Sequence, residues 1–346
     1  MPQPDVRRRT TREEILPEFE PDELEDLQPI QEEPPTTRSA TDKARIKAIP
    51  DITERDVRKK VTLDFVQLKS KGILTPDVGR GTVAEEFRII KRPLLLNAIG
   101  KGLRKVANAN MIMVTSAFPK EGKTFTAINL AMSLAAERDS TVLLVDGDVA
   151  KPSVSRILGF KAQKGLIDYL LGKVENFAEV LIRTNIPKLM LLPSGRRHHH
   201  ATELLASDSM RQLLESLAKS GRDRIVVFDS PPLLVTTEAR ELARDMGQIV
   251  MVVEAERTPQ FAVKDALNQL ENLDIVGLIL NKTQNRGGGS YYSYGYGGYG
   301  GYGGYGGYGG YGGYGGYGGY GGGYGGYGGY GGSRKKQSLM NRLFKS

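Results

Sequence analysis

The 346-residue sequence has no cysteine, which removes any disulfide framework or thiolate metal site and fits a reducing compartment. It also lacks long hydrophobic runs. Its most apolar stretches, such as Ile249–Val253 and Leu278–Leu280, are strand-sized, far short of the roughly 20 residues of a membrane helix. The N-terminus, MPQPDVRRRTTREE, carries no apolar stretch behind its basic residues, so no signal peptide is expected. These absences lead to the expectation of a soluble, cytoplasmic protein. The only histidines form one run, His198-His199-His200, and adjacent side chains diverge, so the run reads as a surface loop before a Thr202-capped helix. A net charge of +8 invites nucleic acid, but the basic residues are scattered among acids. The compact exception is Arg334-Lys335-Lys336 with Arg342 and Lys345, beside four apolar residues that suit a short docking helix or a frayed end. Nucleic acid is not expected as a partner.

Composition divides the chain. Residues 1–59 are rich in Pro, Glu, Asp, Arg and Thr and cannot bury enough apolar surface to offset the entropy of ordering, so they are expected to be disordered. Residues 60–286 form the folded domain, with order beginning near Val61. A helix is predicted from Ala84 to about Lys91, stopped or kinked at Pro93. Strands are predicted at Met111–Thr115, Thr141–Val145, Leu189–Leu192, Ile225–Phe228, Ile249–Glu254 and Ile275–Leu280. Helices are predicted at Lys123–Glu137, Thr202–Lys219, Thr237–Asp245 and Pro259–Asn272. Near-continuous apolar strands alternating with helices specify an α/β fold, a doubly wound and mostly parallel sheet covered on both faces. Residues 287–333 hold Gly-Gly-Tyr triplets, a composition expected to remain a flexible coil, and 334–346 are basic.

Three motifs end three of the strands. Ala117-Phe118-Pro119-Lys120-Glu121-Gly122-Lys123-Thr124, followed by Phe125, has the spacing of a phosphate loop with Ala in place of the first Gly. Its backbone N–H groups would cradle phosphates at the positive end of a helix. Lys123 would reach the β and γ oxygens, and Thr124 would offer its hydroxyl to Mg²⁺. Next, Asp146-Gly147-Asp148 ends the following strand, where such sheets bind ligands. Strands often end in Asp because Asp favours turns. Beside a phosphate loop, though, the pair reads as Mg²⁺ control plus a base for an incoming hydroxyl. Third, Arg224-Ile-Val-Val-Phe-Asp229 is a Walker-B-type strand whose acid holds Mg²⁺ directly or through water. Asn281-Lys282, after the last strand, is placed to touch adenine.

Taken together, Asp146-Gly-Asp148 with Pro152, the Ser-Pro-Pro after Asp229 and Gly-Leu-Ile-Leu-Asn-Lys at 277–282 resemble the bacterial tyrosine kinases of polysaccharide export. Over about residues 61–285 the resemblance runs to a P-loop NTPase fold with deviant Walker motifs, and Glu85–Arg88 and their surroundings are similar to the branch found with exosortase and exopolysaccharide loci. It implies a protein-tyrosine autokinase using ATP and Mg²⁺. Lys123, Asp146 and Asp148 would be catalytic, and Thr124, Asp146 and Asp229 would hold the metal. Residues 117–125 and Asn281 would hold the nucleotide.

The resemblance further implies a homo-oligomeric ring built through an E-x-x-R-x-x-R helix, mapped onto Glu85, Arg88 and Lys91. Lys91 lacks the forked donor geometry of Arg. Expected partners are a membrane-embedded chain-length determinant, which would recruit the chain to the inner face of the membrane, and a tyrosine phosphatase. Two departures stand out: Lys120 sits where the family commonly has Gly, a strain if that backbone needs positive φ, and Ala150 stands where Arg is common. Partition-type ATPases share the fold but carry an extra lysine early in the loop, and Lys120 comes too late to be it.

All but one of the 16 tyrosines lie in the C-terminal run: Tyr291, Tyr292, Tyr294, Tyr296, Tyr299, Tyr302, Tyr305, Tyr308, Tyr311, Tyr314, Tyr317, Tyr320, Tyr324, Tyr327 and Tyr330. A coil of about 45 residues spans roughly 35–40 Å, comparable to a domain diameter. Flanking glycines remove side-chain clashes in a narrow cleft, so these tyrosines are the expected phosphoacceptors, used in trans. Tyr169, set among Leu166, Ile167, Leu170 and Leu171, is expected to be partly buried instead. Two other classes remain open. A partition-type ATPase would hydrolyse ATP without labelling tyrosine, and a catalytically weak scaffold would use the tail to organise an export complex or as a self-associating spacer.

Overall fold

A computed structural model describes residues 56–77, 81–103, 105–221, 223–270 and 275–284. The expectations for residues 1–55, for the tyrosines from Tyr291 to Tyr330 and for the basic C-terminus lie outside these residues. The N-terminal boundary moves, however. Val57 is fully buried, and Lys59 and Val61 exchange backbone hydrogen bonds with Arg183 at 2.9 Å each, so the fold takes in residues assigned above to the N-terminal segment.

Among the described residues seven strands form one sheet in the order β3-β4-β2-β5-β1-β6-β7. They are β1 (Met111–Ser116), β2 (Thr141–Asp146), β3 (Ile182–Arg183), β4 (Leu189–Leu192), β5 (Arg224–Asp229), β6 (Gln248–Glu254) and β7 (Val276–Asn281). Every pairing is parallel except β3 with β4. The alternation of side chains divides the core in two. Met113, Leu143, Val145, Phe228 and Met251 face one layer, and Ile112, Val114, Leu144, Val227 and Val252 face the other. Both layers are covered, which is why β1, β5 and β6 read as unbroken apolar runs.

On the second of these faces pack α1 (Phe65–Ser70), α2 (Thr82–Ala98), α3 (Lys123–Ala135) and α4 (Val154–Leu158). On the first pack α5 (Leu166–Leu170), α6 (Ala201–Leu205), α7 (Asp208–Lys219), α8 (Glu238–Arg244) and α9 (Gln260–Asn268). The doubly wound parallel architecture expected from the sequence is the one observed.

Three local expectations are corrected. The helix begun near Ala84 runs through Pro93 to Ala98, because Ala84, Phe87 and Leu94 are buried and the Gln248 amide donates to the Leu94 carbonyl at 3.0 Å. The predicted Thr202–Lys219 helix is two helices. Ser207 takes an extended conformation and its hydroxyl accepts from the Met210 N–H at 3.2 Å, capping α7 and ending α6. Thr202 lies inside α6, whose N-cap position is His200.

Candidate functional site

The carboxyl ends of β1, β2 and β5 meet where the strand order reverses, the place at which open α/β sheets bind ligands. β1 feeds the loop 117–122, which ends at Gly122 with φ 101°, the N-cap of α3. A Cβ at Gly122 would fall 2.0 Å from the Asn281 Nδ2, and the backbone is left-handed there, so only glycine fits. No side chain caps α3, which leaves its first N–H groups to whatever enters the loop. Lys120 adopts φ 69°, so the anticipated strain of a lysine at a glycine position is present.

The acids converge as the sequence suggested. Asp146 and Asp229 stand opposite each other in the β2–β5 register, both fully buried. The Lys123 Nζ lies 2.6 Å from the Asp148 Oδ2, with both side chains almost wholly enclosed. Asp146 accepts one hydrogen bond, from the Val154 N–H at 3.1 Å, while its other oxygen and both oxygens of Asp229 have no hydrogen-bond partner. The Thr124 hydroxyl comes near enough to lower the Asp229 pKa without completing a hydrogen bond.

Three carboxylates around one ammonium leave an excess of negative charge in a buried site. Burial pushes the Asp229 carboxyl up to about 6, with Lys123 and Thr124 partly offsetting it. Burial raises Asp146 well above the carboxylate range, reinforced by Asp229. For Lys123, burial alone would favour the neutral amine, but Asp229, Asp148 and Asp146 outweigh it, and the net shift is upward. Orphaned buried carboxylate oxygens of this kind call for a cation. Among the described residues no three acids or histidines close into a ready-made metal cage. The donor set suits Mg²⁺, which binds through one or two carboxylates and takes its other oxygens from water and phosphate.

Behind the loop lies a network the sequence reading missed. Glu121 is buried. Its Oε2 accepts from the Phe118 N–H at 2.9 Å, its Oε1 accepts from the Thr258 hydroxyl, and burial raises its pKa. Asn281, expected at adenine, donates its amide to the Glu121 carbonyl at 2.9 Å. Lys282 donates to the Lys120 carbonyl at 2.8 Å and pairs with Glu254 at 3.0 Å. Glu254 and Thr258 carried no sequence signal, since an acid ending one strand and a threonine four residues on are commonplace.

Other candidates fall away from this cluster. Glu85 and Arg88 pair with each other on the exposed side of α2. Lys91 instead turns onto α3, donating to the Ser133 carbonyl at 2.8 Å and pairing with Glu137 at 2.6 Å. Tyr169 is buried edge-to-face against Phe177, with ring centroids 4.9 Å apart, as expected for a packing residue. His199 and His200 are exposed, in keeping with a surface loop.

Comparison with known proteins follows the same outline. A family model described as an AAA domain matches residues 111–281. Tyrosine-protein kinase CpsD of Streptococcus agalactiae is 33% identical over 205 residues, 58% of this chain and 86% of that protein. The succinoglycan biosynthesis transport protein ExoP of Rhizobium meliloti (strain 1021) is 34% identical over 238 residues, 67% of this chain and 29% of that protein. The kinase domain of the Escherichia coli tyrosine kinase ETK superimposes with a TM-score of 0.53 at 27% identity, over 69% of this chain and 94% of that one. The chain thus spans less than a third of the longer relatives such as ExoP, but most of the shorter CpsD.

Proposed function

We propose that this chain, which belongs to the bacterial tyrosine-protein kinase family, transfers the terminal phosphoryl group of ATP to the tyrosines of its own C-terminal run. The observation that carries this reading is the orphaned carboxylate pair, Asp146 and Asp229, buried beside Lys123 at the mouth of the phosphate loop. Such a site is unbalanced alone and calls for a cation, which a Mg²⁺–nucleotide complex brings.

In this reading the loop N–H groups and the uncapped start of α3 hold the phosphates. Lys123 exchanges Asp148 for the β and γ oxygens. That exchange frees Asp148, and either it or Asp146 accepts the proton of the incoming tyrosine. The tyrosine oxygen forms the new bond to phosphorus, the bond from phosphorus to the β,γ-bridging oxygen breaks, and ADP departs with the electron pair. Mg²⁺ would be held by Thr124, Asp146 and Asp229, and when bound supplies charge neutralisation at the phosphate oxygens. The buried, preorganised surroundings strengthen each of these electrostatic contacts.

Regulation of exopolysaccharide synthesis or export is the role we assign, by analogy with ExoP, named for succinoglycan biosynthesis and transport. Each phosphate adds about −1.5 to −2 charges, so a handful outweighs the chain's +8 and drives neighbouring copies apart. The proposed cycle is therefore a homo-oligomeric ring that phosphorylates itself in trans, loosens as charge accumulates and is reset by a tyrosine phosphatase. Glu85 and Arg88 are the exposed candidates for ring contacts, with Lys91 supporting α2 from behind. A membrane-embedded chain-length determinant is the proposed activator, holding the kinase at the inner face of the membrane.

Mass spectrometry of the purified chain after incubation with Mg-ATP tests the activity. Phosphotyrosine between Tyr291 and Tyr330 is expected, and none with Lys123→Met. An unmodified wild-type tail refutes the autokinase reading.

A further inference from the structure

A phosphate loop binds anions only if its carbonyls point away from the ligand, and here two side chains at the end of β7 hold them away. Lys282 takes the Lys120 carbonyl at 2.8 Å, and Asn281 takes the Glu121 carbonyl at 2.9 Å. In a trans peptide the C=O of one residue and the N–H of the next point in opposite directions. Fixing these two carbonyls therefore turns the N–H groups of Glu121 and Gly122 to the opposite side, as in an anion-binding nest.

The holding residues are themselves fixed. Lys282 is paired with Glu254 at 3.0 Å, and Glu254 also faces Arg257 at 3.4 Å. The backbone N–H of Glu254 donates to the Thr258 hydroxyl at 3.1 Å, and that hydroxyl donates to the buried Glu121 carboxylate. Glu121 closes the circuit on the Phe118 N–H. The end of β6, the end of β7 and the loop after β1 thus form one hydrogen-bonded ring. The ring clamps Lys120 in a left-handed conformation that lysine does not favour.

We propose that Thr258 and Lys282 are positioning residues that set the phosphate affinity of this site by clamping the loop from behind, without touching the nucleotide. This deepens the function proposed above and rests on it.

The test is equilibrium binding of ATP and of adenosine to the full chain, by competition with a fluorescent nucleotide. Thr258→Val and Lys282→Met are compared with Thr258→Ser and Lys282→Arg. Each disrupting variant should weaken ATP binding about tenfold, equivalent to about 1.4 kcal/mol, and leave adenosine binding unchanged. The serine and arginine variants should recover most of the loss. In label transfer, the KM for ATP should rise while kcat at saturating ATP stays within about twofold. Because Lys282 is half-exposed, its variant keeps the test open if Thr258→Val fails to fold. Unchanged ATP affinity in both variants overturns the clamp while leaving the kinase reading intact. An equal loss of adenosine affinity assigns Lys282 to the base and also overturns it. Failure of the wild type to bind ATP overturns both.

Discussion

Replacing Asp229 by Asn should abolish phosphoryl transfer and yet make the metal-free protein more stable at pH 7.5. Asp229 is fully buried with neither oxygen hydrogen-bonded, and its carboxyl is pushed from 3.8 to about 6. A carboxylate whose folded pKa exceeds its unfolded one stabilises the fold when protonated. That contribution is complete below about pH 3.8 and is lost as pH rises through about 6. Two units and a fraction, at 1.36 kcal/mol each, amount to roughly 3 kcal/mol of stability surrendered at neutral pH.

The amide carries no charge, and it brings a donor to a place whose acceptors are orphaned. For a domain of this size, about 3 kcal/mol corresponds to roughly 6–12 °C in Tm. Scanning calorimetry in EDTA from pH 4 to 8 should show the variant melting above the wild type at pH 7.5. The gap should be about half as large at pH 5 and nearly gone at pH 4. Mg-ATP at about 1,000 times its Kd should reverse the order, since it adds about 4.1 kcal/mol to a form that binds it. A variant that melts at or below the wild type at pH 7.5 in EDTA refutes the claim that these carboxylates are held at a cost to stability.

Lys123→Met should do the opposite, lowering stability by about 3–5 kcal/mol in a thermal or urea melt, because it strands Asp148 in a buried site. Lys120→Gly should raise stability by up to about 1 kcal/mol by removing the left-handed lysine, without weakening ATP affinity by calorimetry. Ser207→Ala should cost about 1 kcal/mol in urea denaturation through loss of the α7 cap, with kinase activity unchanged.

The fold was legible because its signals are local and repeated. Each predicted strand but the last is a run of apolar residues buried on both sides; edge strand β7 leaves Leu278 and Leu280 exposed, and every one lies within a residue or two of its observed position. The two-residue β3 escaped because so short a segment has no periodicity. Pro93 misled because the penalty of proline in a helix is local while the burial of Phe87 and Leu94 is tertiary. Of the site, the loop, the 146–148 pair and Asp229 were legible, since each ends a strand whose direction fixes the edge it faces. The ion pair of Lys123 with Asp148 and the clamp through Glu121, Thr258, Glu254 and Lys282 were not. The ion pair depends on β5 lying between β1 and β2, and the clamp on β6 lying beside β1 and β7 beside β6; strand order leaves no mark on the spacing of residues.

Label transfer between two forms of the full chain tests the central claim most directly. The donor carries phenylalanine at all fifteen tail tyrosines, and the acceptor carries the tail with Asp229→Asn. With γ-labelled ATP and Mg²⁺, label should appear on tyrosines of the acceptor and vanish when the donor also carries Lys123→Met. Release of labelled inorganic phosphate with no labelled tyrosine would contradict the account and leave a nucleotide hydrolase in its place.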